Sequence, residues 1–442
     1  MTPFVSLADQ GMYLAHAAGG QHAVMQLLWR YRRPVDMDGL TRFRDNLAHG
    51  RLARLIRPAL LPFGRHQWVR ARLPTSAISV QATPIDSSAM QAWVDAQVEL
   101  PLDPALGPGW TLTFQPFTDG STVVSLVVSH CIADGMAVAL AVREAVQGER
   151  RPSSYPAWSP QRSAMSLAPE FLRSVQDAPA TFRALAQLVR TARTMGKTPK
   201  PSPARTTADG RTVVFPSAFV RVPTSAWDER ARSLGANRFS LLAALTAAFA
   251  ESLGRIRSGD VTLVIPVNQR EGLSDSEGNC VLLATLKVPA GEPRGRLHGL
   301  QRRLQTTLLR TRREPDPLAT LLPLVPYVPK RAFLAAYDLA LGGLADMPVT
   351  CSYLGEWPPD VLRVDGTVAD RICFRGVDRN VDVSAIEARH GVASLPACVI
   401  SDFLILNFVA YQPGVVTESR HLLALIDRLL AYYGLTGAFF DA

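Results

Sequence analysis

The pattern of hydrophobic and polar residues in the first third of the chain predicts a mixed α/β structure. Residues 110–114 alternate apolar and polar side chains, and residues 122–129 form a β-branched apolar run. The turn at 118–121 between them contains Asp-Gly, so the two runs are predicted to form a β-hairpin. Residues 136–146 are good helix formers and end before Gly148. The local order is therefore strand, loop, helix.

The same reasoning divides the whole chain into two halves with a connector between them. Between residues 149 and 211 strand signals disappear and Pro and Ser accumulate, with helical spacing at 171–194. We therefore predict a first half at 1–165, a partly helical connector at 166–210 and a second half at 211–442. Further strands are predicted at 24–31, 211–222, 261–266, 280–288, 349–353 and 402–411, and further helices at 7–16, 36–46, 240–253, 294–313 and 419–433.

Composition and charge restrict the class of protein. The 442 residues are 47% hydrophobic and 19% charged, which is typical of a globular protein of two or three domains. The net charge of +9 allows nucleic acid, a membrane surface or an acidic substrate as a partner. No basic run with interleaved aromatics is present, so nucleic acid is not expected. The arginines of 294–313 and 183–200 form either a surface for coenzyme A phosphates or anionic lipid, or a solvated helix face, which is the more common role.

Cysteine and histidine spacing gives no sign of a disulfide framework or a metal site. The five cysteines are scattered, without a C-x-x-C pair, and the histidines other than His130 have no ligand spacing. We therefore expect no metal and a cytoplasmic location. The first residues lack a secretory pattern, and no apolar stretch reaches the roughly 20 residues of a spanning helix, so any membrane contact is expected to be peripheral, at the inner face.

His130 is the strongest candidate for a chemical role. It stands at the end of the strongest predicted strand and just before a helix, a junction that exposes a side chain on a rigid frame. An imidazole, with an ordinary pKa near 6.5, suits a general base acting on a hydroxyl group at neutral pH. Asp134 and Gly135 follow, and they allow a tight turn braced by a carboxylate. The spacing alone occurs by chance in many proteins, so the prediction depends on the strand and helix around it.

Two other catalytic motifs are incomplete. Residues 196–198, Gly-Lys-Thr, resemble the end of a phosphate loop, but Thr191 occupies the position of the required glycine. The chain also has no G-x-S-x-G segment, so a serine esterase of the α/β-hydrolase type is not supported.

Residues 129–135, Ser-His-Cys-Ile-Ala-Asp-Gly, resemble the H-x-x-x-D-G motif of the chloramphenicol acetyltransferase-like superfamily. That superfamily includes condensation domains of peptide synthetases, polyketide-associated acyltransferases, plant BAHD acyltransferases and the wax ester synthase/diacylglycerol acyltransferase group. The chain looks nearest to the last group and to the polyketide-associated proteins. Weaker similarities to superfamily segments occur at 6–13, 35–40, 264–270, 278–279, 347–357 and 406–411.

The resemblance implies a fold and a reaction. The fold would be α/β, with two acetyltransferase-like halves, each a mixed β-sheet flanked by helices, and a tunnel at their interface. His130 would deprotonate an acceptor that attacks a thioester of coenzyme A or of an acyl-carrier protein, without a permanently bound cofactor and in a monomer. Asp134 would point away from the tunnel and hold the loop through an arginine, with Gly135 supporting the same loop.

Three departures from the superfamily pattern fall on possible contact residues. Ser129 replaces the first histidine of many members, Asn237-Arg238 replaces an Asn-Asp pair, and Ser352 with Tyr353 replaces a Ser/Thr-Asn pair. These positions and Asn279 are candidates for substrate or oxyanion contacts.

The expected function is transfer of an acyl group, tilted towards long chains, to a hydroxyl acceptor without a covalent acyl-enzyme. Two alternatives stay open. One is a stand-alone condensation enzyme that forms an amide or ester from carrier-bound substrates. The other is a catalytically silent protein that binds a carrier protein or lipid.

Overall fold

A computed structural model of the chain describes residues 4–19, 22–71, 79–80, 83–151, 154–159, 167–194, 211–272, 278–314, 319–329 and 347–440. Its helices are α1 Leu7–Gly19, α2 Met37–Ala48, α3 Met90–Val98, α4 Gly135–Val146, α5 Leu167–Thr194, α6 Thr224–Ser233, α7 Arg238–Ser252, α8 His298–Arg313, α9 Val383–Ala388 and α10 Ser419–Tyr432. Its strands are β1 His22–Tyr31, β2 Arg54–Arg57, β3 Gln67–Arg70, β4 Ser79–Val80, β5 Trp110–Pro116, β6 Thr122–Ser129, β7 Thr212–Val213, β8 Ser217–Pro223, β9 Asp260–Asn268, β10 Val281–Pro289, β11 Val349–Trp357, β12 Arg371–Arg379, β13 Val381–Asp382, β14 Val392–Ile400, β15 Phe403–Tyr411 and β16 Ala438–Phe439.

Two mixed sheets organise the described residues. The first sheet has the strand order β12-β1-β6-β5-β4, and the second has the order β10-β9-β11-β14-β15-β8-β16. Strands β2 and β3, and strands β7 and β13, form two small separate pairs. Helices accompany both sheets, as the predicted α/β fold class requires.

Strand β6 is the centre of the first half. Every residue from Thr122 to Ser129 is buried, and β6 pairs antiparallel with β5 on one side and β1 on the other. The predicted hairpin of β5 and β6 is therefore confirmed. Helix α2 begins after the cap Asp36 and packs on α4, burying Leu40, Phe43 and Leu47. The strand that leads to His130 is thus held rigidly on all sides.

Strand β12 comes from the second half of the sequence and adds to the first sheet. It pairs antiparallel with β1 from Arg30 opposite Arg371 to His22 opposite Arg379. The sequence patterns did not predict this strand. Its central residue Arg375 is fully buried, and its guanidinium donates to Gln26 Oε1 at 2.8 Å and pairs with Asp95 at 2.8 Å. Since these partners lie in the first half, the two halves of the chain share one sheet.

The second half encloses helix α7 in its core. Residues 240–250 of that helix are all buried, and it packs against β9 and β11. Helix α8 has the predicted amphipathic arrangement, because Leu300 and Leu304 are buried while Arg310 stays 76% exposed at its side chain. The arginines of α8 therefore lie largely on a solvated face. No helix among the described segments is both long and apolar enough to cross a bilayer.

Candidate active site

His130 immediately follows strand β6 and is fixed through its backbone on both sides. Its N–H donates to the carbonyl oxygen of Ala23 in β1 at 2.9 Å, and its carbonyl oxygen accepts from Asn279 Nδ2 at 2.9 Å. The side chain is half-buried. Its Nδ1 is buried, and no described residue hydrogen-bonds to it. A general base must reach the proton that it removes, so this role falls on the exposed part of the half-buried ring and not on Nδ1.

The loop after His130 is tied down by residues that do not face solvent. Asp134 precedes α4 and caps it, since its Oδ1 accepts from the N–H of Ala137 at 2.8 Å. The buried guanidinium of Arg54 donates from Nη2 to the carbonyl oxygen of Ile132 at 2.7 Å and lies over the ring of Trp68. These contacts fix the loop relative to the first half.

The second oxygen of Asp134 connects the loop to the second half. Asp134 Oδ2 accepts from Arg270 Nη1 at 2.7 Å and from the N–H of Cys280 at 3.0 Å. The Asp134 N–H donates to the carbonyl oxygen of Gly278 at 2.9 Å. Arg270, Gly278 and Cys280 all belong to the second half, so Asp134 is held at the interface of the two halves.

Asp9 and Asn279 form a second connection between the halves. Asp9 Oδ1 accepts from the backbone N–H of Asn279 at 2.9 Å and from its Nδ2 at 2.7 Å. Asp9 is 1% exposed, and this burial raises its pKa to about 6, although the hydrogen bonds from Asn279 and Ser6 lower it in part. Because the amide Nδ2 of Asn279 donates to both Asp9 and the His130 carbonyl, Asn279 helps to position the loop, and its predicted contact with a substrate or oxyanion stays a prediction.

Gly135 permits a close approach by the second half. A Cβ atom at Gly135 would lie 3.0 Å from Cδ1 of Leu354 in β11. A side chain at this position would require the Leu354 side chain to shift. The candidate residues Ser352 and Tyr353 precede Leu354 in that strand, but the ring of Tyr353 stacks on Phe239 of α7 with centroids 5.4 Å apart, on the side of the second-half core.

The other two sequence candidates have local partners. Ser129 is buried at the end of β6, and its Oγ accepts from the N–H of Cys131 at 3.4 Å. Asn237 caps α7, because its Oδ1 accepts from the N–H of Ser240 at 2.9 Å. The Asn237 oxygen is thus used as a helix cap, and a contact of Asn237 with substrate stays a prediction.

Asp378 is a candidate that the sequence patterns did not reveal. It lies in β12 directly opposite Ala23, whose carbonyl oxygen accepts from His130. His130, Ala23 and Asp378 therefore form one row across the end of the first sheet, with a small residue in the middle. Burial raises the pKa of Asp378, and the charges of Arg389 and His130 act in the opposite direction. Its side chain nevertheless keeps partial access to solvent.

None of the five cysteines, all of which lie in described segments, forms a disulfide, and two that are buried in or near the loop are poor nucleophiles. Burial raises the pKa of the Cys131 thiol, next to His130, to about 12, and it does the same for Cys351 in β11. A thiolate at either position is therefore rare near neutral pH. Within the described segments, no group of three His, Cys, Asp or Glu residues is arranged to hold a metal ion.

A cavity of about 140 Å³ lies between the halves, away from this loop. It is lined by α3 residues Met90 and Val94, by Phe219 of β8 and by Leu423 of α10, among others. None of the lining residues belongs to residues 129–135. A tunnel that reaches His130 stays a prediction.

Comparison with solved structures identifies the fold. The first condensation domain of the calcium-dependent antibiotic synthetase, in complex with a substrate analogue, matches with a TM-score of 0.58 and 17% identity, covering 98% of this chain and 96% of that one. Polyketide synthase associated protein 5 from Mycobacterium tuberculosis matches with a TM-score of 0.51 and 16% identity, covering 96% of each chain. The starter condensation domain of rhizomide synthetase matches with a TM-score of 0.50 and 15% identity, covering 98% and 95%.

Comparison of sequences identifies no relative of this chain, whereas comparison of structures identifies its fold. No protein-family model matches the chain, and no curated protein sequence matches it either. At identities of 15–17%, the structural matches establish the fold. The fold predicted from the resemblance of residues 129–135 is therefore confirmed: the chain has the fold of condensation domains and of polyketide synthase associated protein 5.

Proposed function

We propose that this protein is an acyltransferase that moves an acyl group from a thioester of coenzyme A or of a carrier protein to a hydroxyl acceptor. The observation that carries the proposal is the half-buried imidazole of His130, held at the end of β6 by the backbone hydrogen bonds with Ala23 and Asn279. A positioned imidazole is the commonest general base in enzymes.

In the proposed reaction His130 takes the proton of the acceptor hydroxyl as its oxygen attacks the thioester carbonyl. The tetrahedral intermediate collapses with cleavage of the carbon–sulfur bond. The leaving thiolate then receives the proton from the imidazolium, so the products are an ester and a free thiol, and His130 returns to its starting form. Ser352 and Tyr353, next to Leu354, are the candidates for contacts with the substrate or the oxyanion.

Direct transfer without an acyl-enzyme is favoured by the residues around His130. Cys131 is the adjacent nucleophile, but burial raises the pKa of its thiol to about 12. Ser129 is buried, and its Oγ faces the N–H of Cys131. Neither residue is prepared to carry an acyl group.

Asp378 is proposed to contact the acceptor from the other side of Ala23. Adjacent strands lie about 4.8 Å apart, so the His130 and Asp378 backbones are separated by roughly 10 Å across β1. An acceptor with a second polar group could contact both side chains at once. A diol or an amino alcohol has this character, and the carboxyl of Asp378 would orient it so that the reacting hydroxyl meets His130.

Amide formation is the alternative reaction. It is supported by the structural matches, because two of the three solved structures named above are condensation domains. The experiment is to incubate the protein with acyl-coenzyme A or an acyl-pantetheinyl carrier protein, together with mixed alcohols and amines, and to identify products by mass spectrometry. We expect an ester and one equivalent of free thiol. An amide product would favour the condensation alternative, and the absence of any acceptor-dependent product would contradict acyl transfer.

A further inference from the structure

Helix α5 contacts the rest of the protein through its polar and small side chains. Glu170 is only 2% exposed and accepts the backbone N–H groups of Leu60 at 2.9 Å and Leu61 at 3.1 Å. Asp177 forms an ion pair with Arg65 at 3.1 Å. About two turns further on, Ala184 is 2% exposed. The inward face of α5 is therefore the face that carries its acidic residues.

The outward face of the same helix is apolar. Phe171 is 61% exposed, Val175 52%, Phe182 70%, Leu185 47% and Val189 41%. At 3.6 residues per turn these positions fall on one stripe, which at 1.5 Å per residue is about 27 Å long. A helix of a globular protein ordinarily buries such a stripe in the core. In α5 the apolar stripe instead faces solvent.

The apolar stripe is therefore not what holds α5 against the rest of the protein. The contacts that attach α5 use Glu170 and Asp177, so the exposed phenylalanines contribute little to its docking. Contiguous exposed apolar surface of this kind marks an interaction site in soluble proteins. The stripe is convex, since it is the ridge of a helix, so its partner either deforms around it or offers a groove.

The charges beside the stripe indicate the chemistry of that partner. Glu170 and Asp177 are the only acidic residues in the sequence of α5, and both lie on the inward face. Arg183 and Arg190 are exposed and lie beside the stripe. An apolar stripe with phenylalanine and leucine, bordered by arginine and free of acidic residues, is the pattern of helices that lie in the interface of an anionic bilayer. The net charge of +9 also favours association with an anionic surface.

We propose that α5 is a docking site for an anionic phospholipid surface. The side chains of Phe171, Phe182 and Leu185 enter the boundary between headgroups and acyl chains, and Arg183 and Arg190 contact headgroup phosphates. This role goes beyond the proposed acyl transfer and does not depend on it.

The test is co-sedimentation of the full chain with vesicles of phosphatidylcholine alone or of phosphatidylcholine and phosphatidylglycerol in equal parts. We expect binding to the anionic vesicles and much weaker binding to the neutral ones. The triple variant Phe171→Gln, Phe182→Gln and Leu185→Gln retains good helix formers and should bind roughly tenfold or more weakly, because it loses the apolar surface that enters the membrane. Arg183→Gln with Arg190→Gln should reduce the preference for anionic vesicles.

The matched control is a triple variant of exposed apolar residues elsewhere, Leu309→Gln, Val415→Gln and Tyr432→Gln, which should bind like the unmodified protein. Equal loss in the control, or no vesicle binding by the unmodified protein, would overturn the proposal. It would also be overturned if the α5 triple variant changed the oligomeric state in size-exclusion chromatography, because the stripe would then be an interface between copies. Thiol release with soluble substrates should not change in the α5 variant, so failure here is distinguishable from failure of acyl transfer.

Discussion

Arg270 Nη1 donates to Asp134 Oδ2 at 2.7 Å across the interface of the two halves, and the two side chains are only 3% and 6% exposed. Asp134 also caps the helix that follows His130. The position of the proposed base is therefore coupled to the docking of the second half against the first. These contacts give the carboxylate of the H-x-x-x-D-G segment a structural role that requires no contact with a substrate.

Loss of this ion pair should destabilise the fold. Asp134→Ala leaves the guanidinium of Arg270 buried without its carboxylate and removes the cap of α4, so we expect the free energy of unfolding to fall by about 3–5 kcal/mol. Denaturant titration measures the change. The control is Glu314→Gln, which breaks the pair with Arg310 whose side chains are 76% and 65% exposed, and it should cost less than about 1 kcal/mol. Equal losses in the two variants would show that the Asp134 pair has no special role.

The buried carboxyl of Asp9 should make stability depend on pH. Its pKa of about 6 in the folded protein exceeds its ordinary value of 3.8, so the folded state binds more protons between these values. Stability from this group is present below pH 3.8 and is lost as the pH rises through about 6, by roughly 3 kcal/mol in total.

Asp9→Asn keeps an acceptor for Asn279 and has no charge to desolvate. Measured by thermal unfolding from pH 4 to 8, the variant should gain stability relative to the unmodified protein as the pH rises. Parallel curves for the two proteins across this range would contradict the raised pKa of Asp9.

We expect Asp378 to affect the KM of the acceptor and not the KM of the thioester. If its carboxyl hydrogen-bonds the acceptor, Asp378→Ala should raise the acceptor KM by roughly tenfold or more while the thioester KM stays the same, and Asp378→Asn should retain part of the interaction. Initial rates with each substrate varied in turn separate these effects. Asp402→Asn, at an exposed turn, is the control and should change neither KM. A larger effect on the thioester KM than on the acceptor KM would place Asp378 elsewhere in the reaction.

Local elements of the fold could be read from the sequence because their signals are local. The hairpin of β5 and β6 and the helix after Gly135 were predicted from alternation, a turn and helix formers within 40 residues. Strand β12 was not predicted, because Arg371, Arg375 and Arg379 interrupt its apolar pattern. The buried guanidinium of Arg375 is paired with Gln26, Asp95 and Ser217, all of which are far away in the sequence.

The residues of the candidate site also differ in whether a local sequence pattern predicts them. His130 was found from a short motif at a strand end. Asp9 lies 270 residues from Asn279, and Asp378 joins the row through Ala23 only because β12 crosses to the first sheet. Such contacts depend on the packing of distant segments, and no pattern within one segment encodes them.

The most direct measurement is acceptor-dependent thiol release by His130→Ala, compared with the unmodified protein and with His421→Ala at an exposed position on α10. Removal of the general base should slow release by roughly 10²–10⁴-fold, while His421→Ala should react at the unmodified rate. Equal rates in all three proteins would contradict the role of His130 as the base.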